Sequence, residues 1–233
     1  MTNREFSNEF DVLYNNITSN QAPGLDEYEK SVFLTKAQDE IVKAYFNPKT
    51  NKVQEGFDGN EKRQIDFSMI MRSATFKDAP NFKEAFFDNR ENTKAVELDK
   101  DILMFVNEYV IVTRGEQTVR LTVIPINYNE YNRLMSKPYK RPLKFNAWRL
   151  LDNSDTKNRA ELIVGPNDTI TQYTIRYVKR LNPIVLSDLE EGLSLGDNVS
   201  TETPCELDPI LHPEILQRAV ELAKAAYIGD LTS

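Results

Sequence analysis

The chain is poor in the residues that build most catalytic and metal sites. Its 233 residues include one cysteine, Cys205, and one histidine, His212. A single cysteine excludes an internal disulfide and a cysteine-rich zinc site, and a single histidine excludes a histidine cluster within one subunit. The two residues flank Asp208-Pro209, and no nucleophile signature surrounds them. We therefore interpret Cys205 as a packed thiol and His212 as a structural residue near the last helix.

Glycine-based phosphate sites and membrane-spanning segments are missing as well. None of the eight glycines precedes a lysine, and no Gly-x-Gly occurs. Both Gly-rich routes to nucleotide binding need such glycines, because backbone amides must approach the phosphates closely. No apolar run approaches the roughly 18 residues that a transmembrane helix needs. The first residues lack a basic-then-apolar signal pattern, so we expect synthesis in the cytosol and no membrane partner.

Negative charge exceeds positive charge in the whole chain, and positive charge is absent from one long segment. The chain has 29 Lys and Arg against 36 Asp and Glu, a formal net charge of -7. An acidic protein is not built to coat nucleic acid. Residues 181–217 contain no Lys or Arg and eight acidic residues. The Gly, Ser and Thr content within this segment predicts a flexible, exposed acidic loop over 187–204. Its candidate contact residues are Asp188, Glu190 and Glu191.

Positive charge is concentrated in residues 131–149, where it alternates with aromatic residues. Because the chain as a whole is acidic, we interpret this stretch as a basic edge that docks on the acidic segment of an adjacent copy or ring. The alternative is a nucleic-acid-binding module that stacks bases on the aromatic rings. The candidate contact residues are Arg133, Lys140, Arg141, Lys144 and Trp148.

Two amphipathic helices are predicted near the ends of the chain. The first runs over 26–46, begins with the capping-box spacing of Asp26 and Glu29, and stops before Asn47-Pro48. The second runs over about 213–228. Each helix has an apolar stripe that must be buried, so we expect the two to pack together. The candidate packing residues are Phe33, Ala37, Ile41, Ala219, Leu222 and Ala223.

The middle of the chain has the period and composition of β-strands. Residues 102–113 and 117–126 flank Arg114-Gly115-Glu116 and predict a hairpin. Residues 143–150, 159–165 and 170–179 predict further strands, and a short helix is expected after Asn127. The fold class predicted is α+β, with terminal helices forming a bundle and an inserted antiparallel β-sheet or sandwich. The predicted parts are an N-terminal helical part (1–94), the β-rich insertion (95–186), the flexible acidic loop (187–204) and a C-terminal helix returning to the bundle (205–233).

Four segments carry a resemblance to a known family. They are residues 28–45, 62–68, 173–186 and 205–223. In sequence and order they resemble the ring proteins of the head-to-tail connector in crAss-like, short-tailed bacteriophages. More distantly, they resemble the adaptor or tail-tubular proteins of podoviruses.

The resemblance implies a structural protein of the virion, assembled in the host cytoplasm. Such proteins form homo-oligomeric rings, usually of twelve copies, below the portal. The implied partners are the portal protein, other ring or tail proteins, and genomic DNA that passes through the channel without sequence-specific binding. The helical bundle would surround the channel, and the β domain would meet the next ring or the tail. The family supplies no catalytic residues and no cofactor, so we expect a protein that is not an enzyme.

One enzymatic alternative stays open from the residues alone. Asp99 and Asp101, together with the acidic loop at 188–208, have the carboxylates that a small hydrolase would need. Neither aspartate lies in a segment with the ligand count of a calcium loop. We therefore predict no metal site, and interpret these carboxylates as solvated charge.

Overall fold

A computed structural model describes residues 1–17, 24–46, 67–77, 81–87, 92–142, 145–153, 157–196 and 198–232, with side chains as far as residue 227. The chain divides into two compact units. We call Met1–Ile70 with Leu181–Ser233 the helical unit, and Met71–Arg180 the β unit. The described residues form a mixed α/β structure with four α-helices: α1 (Asn3–Ile17), α2 (Glu27–Phe46), α3 (Tyr128–Met135) and α4 (His212–Thr232).

The starts of α1 and α2 follow from local side-chain chemistry. The Asp26 carboxylate accepts from the Glu29 amide at 2.7 Å, and the Glu29 carboxylate accepts from the Asp26 amide at 3.0 Å. Thr2 and Glu5 make the same reciprocal pair at the start of α1. These capping boxes satisfy amides that the first helical turn leaves without partners. The predicted start of α2 is therefore confirmed, and α2 ends at Phe46, directly before Asn47-Pro48.

Within the helical unit, α4 packs against both α1 and α2. Glu40 accepts from Arg218 at 2.8 Å, and Tyr45 lies 3.4 Å from Glu214. Along α2 the contacts run from Glu40 to Tyr45, and along α4 they run back from Arg218 to Glu214, so these two helices are antiparallel. Buried Lys30 joins α2 to α1 through its ion pair with Asp11 at 2.8 Å.

Four of the six predicted helix-packing residues are buried. They are Ala37, Ile41, Ala219 and Ala223, whereas Phe33 and Leu222 are only half-buried. The buried face of α2 is centred instead on Leu34 and includes the polar residues Ser31 and Gln38. The buried face differs from the predicted one because the Ser31 and Gln38 side chains bond to the extended segment that follows the β unit.

The β unit is one sheet of eight strands among the described residues. The strands are β1 (Met71–Lys77), β2 (Phe82–Glu84), β3 (Lys94–Leu98), β4 (Ile102–Arg114), β5 (Gln117–Pro125), β6 (Asn146–Asn153), β7 (Asn158–Ile163) and β8 (Thr169–Lys179). Their order across the sheet is β1-β8-β4-β5-β6-β7-β3-β2. The sheet therefore begins before the predicted boundary at residue 95. The first three strands are short, charged or aromatic, and they carry no clear alternation in sequence.

One strand pair departs from the predicted antiparallel sheet. β5 and β6 are parallel, with Thr122 opposite Asn146 and Pro125 opposite Arg149. Parallel neighbours need a crossover connection of a dozen or more residues, usually helical. The connection between Pro125 and Asn146 contains α3, which supplies that crossover.

The sheet curls around a single core. Val110, Leu121, Leu162 and Tyr173 are buried on its inner face, and Phe76 of edge strand β1 and Phe82 of edge strand β2 pack against the same cluster. Strands from both edges can reach one cluster only if the sheet is strongly curved. The outer face of β6 and β7 is covered by α3, through a smaller cluster.

Candidate assembly surfaces

The basic stretch falls on α3, the turn after it and β6. Trp148, which we predicted as a contact residue, is only 4% exposed and packs in the cluster of Tyr131, Leu150 and Ile163 beneath α3. That prediction is wrong because β6 alternates its side chains between two buried faces, so an aromatic residue there fills the core. Burying its ring attaches α3 to the sheet.

Residues 133–145 of this stretch are here called the basic corner, and most of the described residues among them are exposed. Arg133 is exposed and paired with Glu130 at 3.0 Å, and the Arg141 Nε donates to the Met135 carbonyl at 2.9 Å. Lys140 is exposed, and Lys144 lies outside the described residues. Two large aromatic side chains project beside these cations, Tyr139 at 72% exposed and Phe145 at 73% exposed. Exposed aromatic rings of this size are typical of contact surfaces.

The acidic segment has hydrogen bonds of its own. Val185 and Thr203 exchange two backbone bonds, Leu189 donates to Ser200, and Leu195 and Val199 exchange two more. We call residues 187–203 the acidic hairpin. Its carboxylates at Asp188, Glu190, Glu191 and Glu202 are exposed, and the Asp188 carboxylate also accepts from the Glu202 amide at 2.8 Å.

The turn that carries Glu190 and Glu191 depends on a glycine. Gly192 has φ of 93°, a conformation that side chains with a Cβ rarely adopt. Leu193 then donates to the Glu190 carbonyl at 3.0 Å. The flexibility predicted for this segment stays a prediction, but the segment is not without internal structure.

The chain leading into the acidic hairpin is held by α2. Ser31 accepts from the Leu186 amide at 3.0 Å, and Thr35 accepts from the Ile184 amide at 3.1 Å and donates to its carbonyl at 3.3 Å. Gln38 donates to the Asn182 carbonyl at 3.0 Å. Helix residues 31–38 advance about 10 Å along the axis, and residues 182–186 span about 13 Å when extended. The two lengths are similar, so polar side chains on one face of α2 can bond to successive backbone groups of residues 182–186, as a neighbouring strand would.

Charge is divided unevenly between the two units. The β unit has 19 Lys and Arg against 14 Asp and Glu, a formal charge of +5. The helical unit has 10 against 22, a formal charge of -12, and together they give the -7 of the chain. The two units therefore carry formal charges of opposite sign. Net charge alone conceals this, because the two units carry opposite signs.

The core of the β unit contains a buried ion pair that sequence patterns do not signal. Arg149 lies 3.0 Å from Glu108, and its guanidinium stacks on the Phe105 ring at 3.9 Å. The Tyr173 hydroxyl donates to the other Glu108 oxygen at 2.6 Å. Burial raises the pKa of Glu108, against the lowering effects of Arg149 and Tyr173. Burial and the Glu108 carboxylate raise the pKa of Tyr173 well above its ordinary value. This group is a structural pair inside the sheet.

The single cysteine and the single histidine of the sequence each make hydrogen bonds with other residues. The Cys205 thiol donates to Gln38 at 3.5 Å, and burial raises its pKa to about 11. The His212 ring bonds to the Leu207 carbonyl and the Met1 amine, and burial lowers its pKa. The two side chains thus serve separate hydrogen bonds. In the part of the chain that the structure describes, no cluster of three or more potential metal ligands occurs.

No described helix combines the length and the hydrophobicity that a membrane-spanning helix needs.

Comparison with known proteins places the chain in a family. A family model for phage tail ring protein 3/4 matches residues 1–233. Ring protein 4/5 of Bacteroides phage crAss001 is 51% identical over 233 residues, covering 99% of this chain and 95% of that protein. Ring protein 3 of the same phage is 31% identical over 236 residues, covering 96% of this chain and 95% of that protein. Because the match spans the whole chain, the protein belongs to the phage tail ring protein 3/4 family of virion structural proteins.

Proposed function

We propose that the chain is the subunit of an oligomeric ring in the head-to-tail connector, beneath the portal. The ring forms part of the DNA channel and a docking site for other ring or tail proteins. We further propose twelve copies per ring. Membership of a ring protein family supports the ring. The opposite charges of the two units support head-to-tail contacts between the copies.

The opposite charges of the two units favour one kind of contact between copies. A two-fold contact confined to one unit would bring like charges together, and a two-fold contact that pairs the β unit of each copy with the helical unit of the other closes at two copies and cannot extend to a ring. A head-to-tail contact instead brings the +5 β unit of one copy towards the -12 helical unit of the next. A contact of this kind repeats until the rotation closes, and the product is a ring. Complementary charge also speeds encounter and fixes register.

We assign the basic corner and the acidic hairpin to opposite sides of the contacts between subunits or between stacked rings. Single exposed ion pairs contribute only about 0–1 kcal/mol, so many repeats and the exposed rings of Tyr139 and Phe145 supply the rest. The residues assigned to these contacts are Arg133, Lys140, Arg141, Lys144, Asp188, Glu190 and Glu191. Trp148 is omitted because it is buried.

The helical unit supplies the proposed channel wall. Helices α1, α2 and α4 would act as a bundle around the channel, as the family resemblance implies. A wall of net negative charge repels the phosphate backbone, and DNA can then pass without sequence-specific binding. The acidic surplus of the helical unit supports this assignment.

Charge reversal in the basic corner tests the proposal. Lys140→Glu, Arg141→Glu and Lys144→Glu in one chain are expected to reduce incorporation into assembled particles while the subunit stays folded. The control chain carries Arg4→Glu, Lys36→Glu and Lys43→Glu, which change the net charge equally on exposed positions of α1 and α2. Circular dichroism melts verify folding of both. Normal assembly with loss of packaged DNA would instead show that the corner contacts nucleic acid.

A further inference from the structure

The outer face of β1, β8, β4 and β5 is an open surface with an unusual charge pattern. We call it the open face, and it consists of the outward positions among residues 73–77, 172–176, 107–113 and 118–122. Its side chains are exposed or half-buried. The outward positions carry three cations, Lys77, Arg120 and Arg176, and no carboxylate.

The registers of the strands show that these cations share one surface. Lys77 lies opposite Gln172, Gln172 opposite Ile111, and Ile111 opposite Arg120. The next row runs from Thr75 through Thr174 and Tyr109 to Thr122, and the Thr75 and Thr174 hydroxyls lie 3.2 Å apart. The Arg120 guanidinium lies 3.7 Å from the Tyr109 ring centre, so one cation is held in place over an aromatic ring.

The open face continues into the basic corner. The Thr122 amide donates to the Phe145 carbonyl at 3.0 Å, and Thr122 lies opposite Asn146. The surface thus extends from edge strand β1 to the exposed Phe145 ring. Arg176 has no ion-pair partner within the described residues, and its charge is available to an outside partner.

We propose that the open face receives the acidic hairpin of a second copy of this chain. The exposed carboxylates of Glu190 and Glu191 match its cations, and Leu193, 38% exposed beside them, matches its half-buried Ile111. This proposal rests on the proposed ring and deepens it, because it names the seat that the hairpin occupies. A second copy is the occupant favoured over nucleic acid because each neighbour in a ring presents a segment without Lys or Arg.

Cross-linking between copies tests the seat directly. Equal amounts of unlabelled and nitrogen-15-labelled full chain are mixed at up to about 1 mM and treated with a carbodiimide, which joins a lysine to a carboxylate in direct contact. The wild-type chain is expected to give mixed-isotope links from Lys77 to Glu190 or Glu191. Arg120→Glu with Arg176→Glu is expected to reduce them at least tenfold, as roughly 1.4 kcal/mol of lost contact energy would. The control chain, Arg4→Glu with Lys36→Glu, is expected to link as the wild type does.

A charge swap distinguishes direct binding of the hairpin to the open face from a general effect of net charge. Adding Glu190→Lys and Glu191→Lys to the double variant is expected to restore mixed-isotope links between the open face and the hairpin. A wild-type chain without such links, or a double variant that links normally, overturns the seat. If the wild type instead binds a DNA duplex in a manner that requires Arg120 and Arg176, the face belongs to nucleic acid and the proposal is wrong. Rings that form in virions from the double variant overturn the seat alone, whereas wild-type virions without rings overturn the proposed function.

Discussion

Replacing Thr35 by valine removes both bonds that α2 makes to Ile184. The Thr35 hydroxyl accepts from the Ile184 amide at 3.1 Å and donates to the Ile184 carbonyl at 3.3 Å, and both bonds are lost in the variant. Ile184 is fully buried, so water cannot replace the hydroxyl. A buried donor left without a partner costs about 1–3 kcal/mol. The loss in unfolding free energy is expected in that range, because valine preserves the shape of the side chain and leaves no cavity.

Urea unfolding measures the total effect, and hydrogen exchange locates it. In the wild type, the Ile184 and Leu186 amides are expected to be protected although they lie in neither a helix nor a strand. In Thr35→Val the Ile184 amide should exchange faster. The control is Thr203→Val, since that hydroxyl bonds to the Thr201 carbonyl at an exposed position, and a change within about 0.5 kcal/mol is expected. An Ile184 amide that exchanges equally fast in the wild type and in Thr35→Val would show that the Thr35 hydroxyl does not hold Ile184 against α2.

Two substitutions test the cores of the two units, and limited proteolysis tests the acidic hairpin. Ile41→Asp buries an unpaired charge and should destabilise by roughly 3–5 kcal/mol, visible as a lower melting temperature. Limited proteolysis of the isolated subunit should cut within 187–204 before it cuts within 102–126, since the hairpin buries little. For Glu108, whose pKa is raised in the fold, the folded state holds the proton longer than the unfolded chain. Its contribution to stability is therefore present at low pH and lost as pH rises. Glu108→Gln should gain stability relative to the wild type in urea titrations as pH rises above the ordinary carboxyl range.

Local signals were sufficient for the elements with strong patterns. The capping box at Asp26 and Glu29 and the hairpin around Gly115 both depend on short-range chemistry. The helix after Asn127 forms as predicted, although the Asn127 side chain makes no capping bond. The same helix lies between two predicted strands. A helical connection of this length is what the parallel pairing of β5 and β6 requires, so the pairing is compatible with the predicted elements.

The features that depend on contacts between distant residues could not be predicted from the sequence, for physical reasons. Ser31 and Gln38 are polar, so a stripe drawn from apolar residues places the buried face of α2 too near Phe33. Trp148 looked like a contact residue because its basic neighbours are near in sequence, but its strand is buried on both faces. The open face depends on which strands are neighbours. Alternation along one strand cannot show that Arg120 and Arg176 share a surface.

Electron cryomicroscopy of intact virions tests the central proposal most directly. The map of the region between the portal and the tail is expected to contain a closed ring of twelve copies of this fold around the DNA path. Neighbouring copies should meet head to tail, with the β unit of one against the helical unit of the next. A virion in which this chain is absent from that region, or is present without a closed ring, would contradict the proposed function.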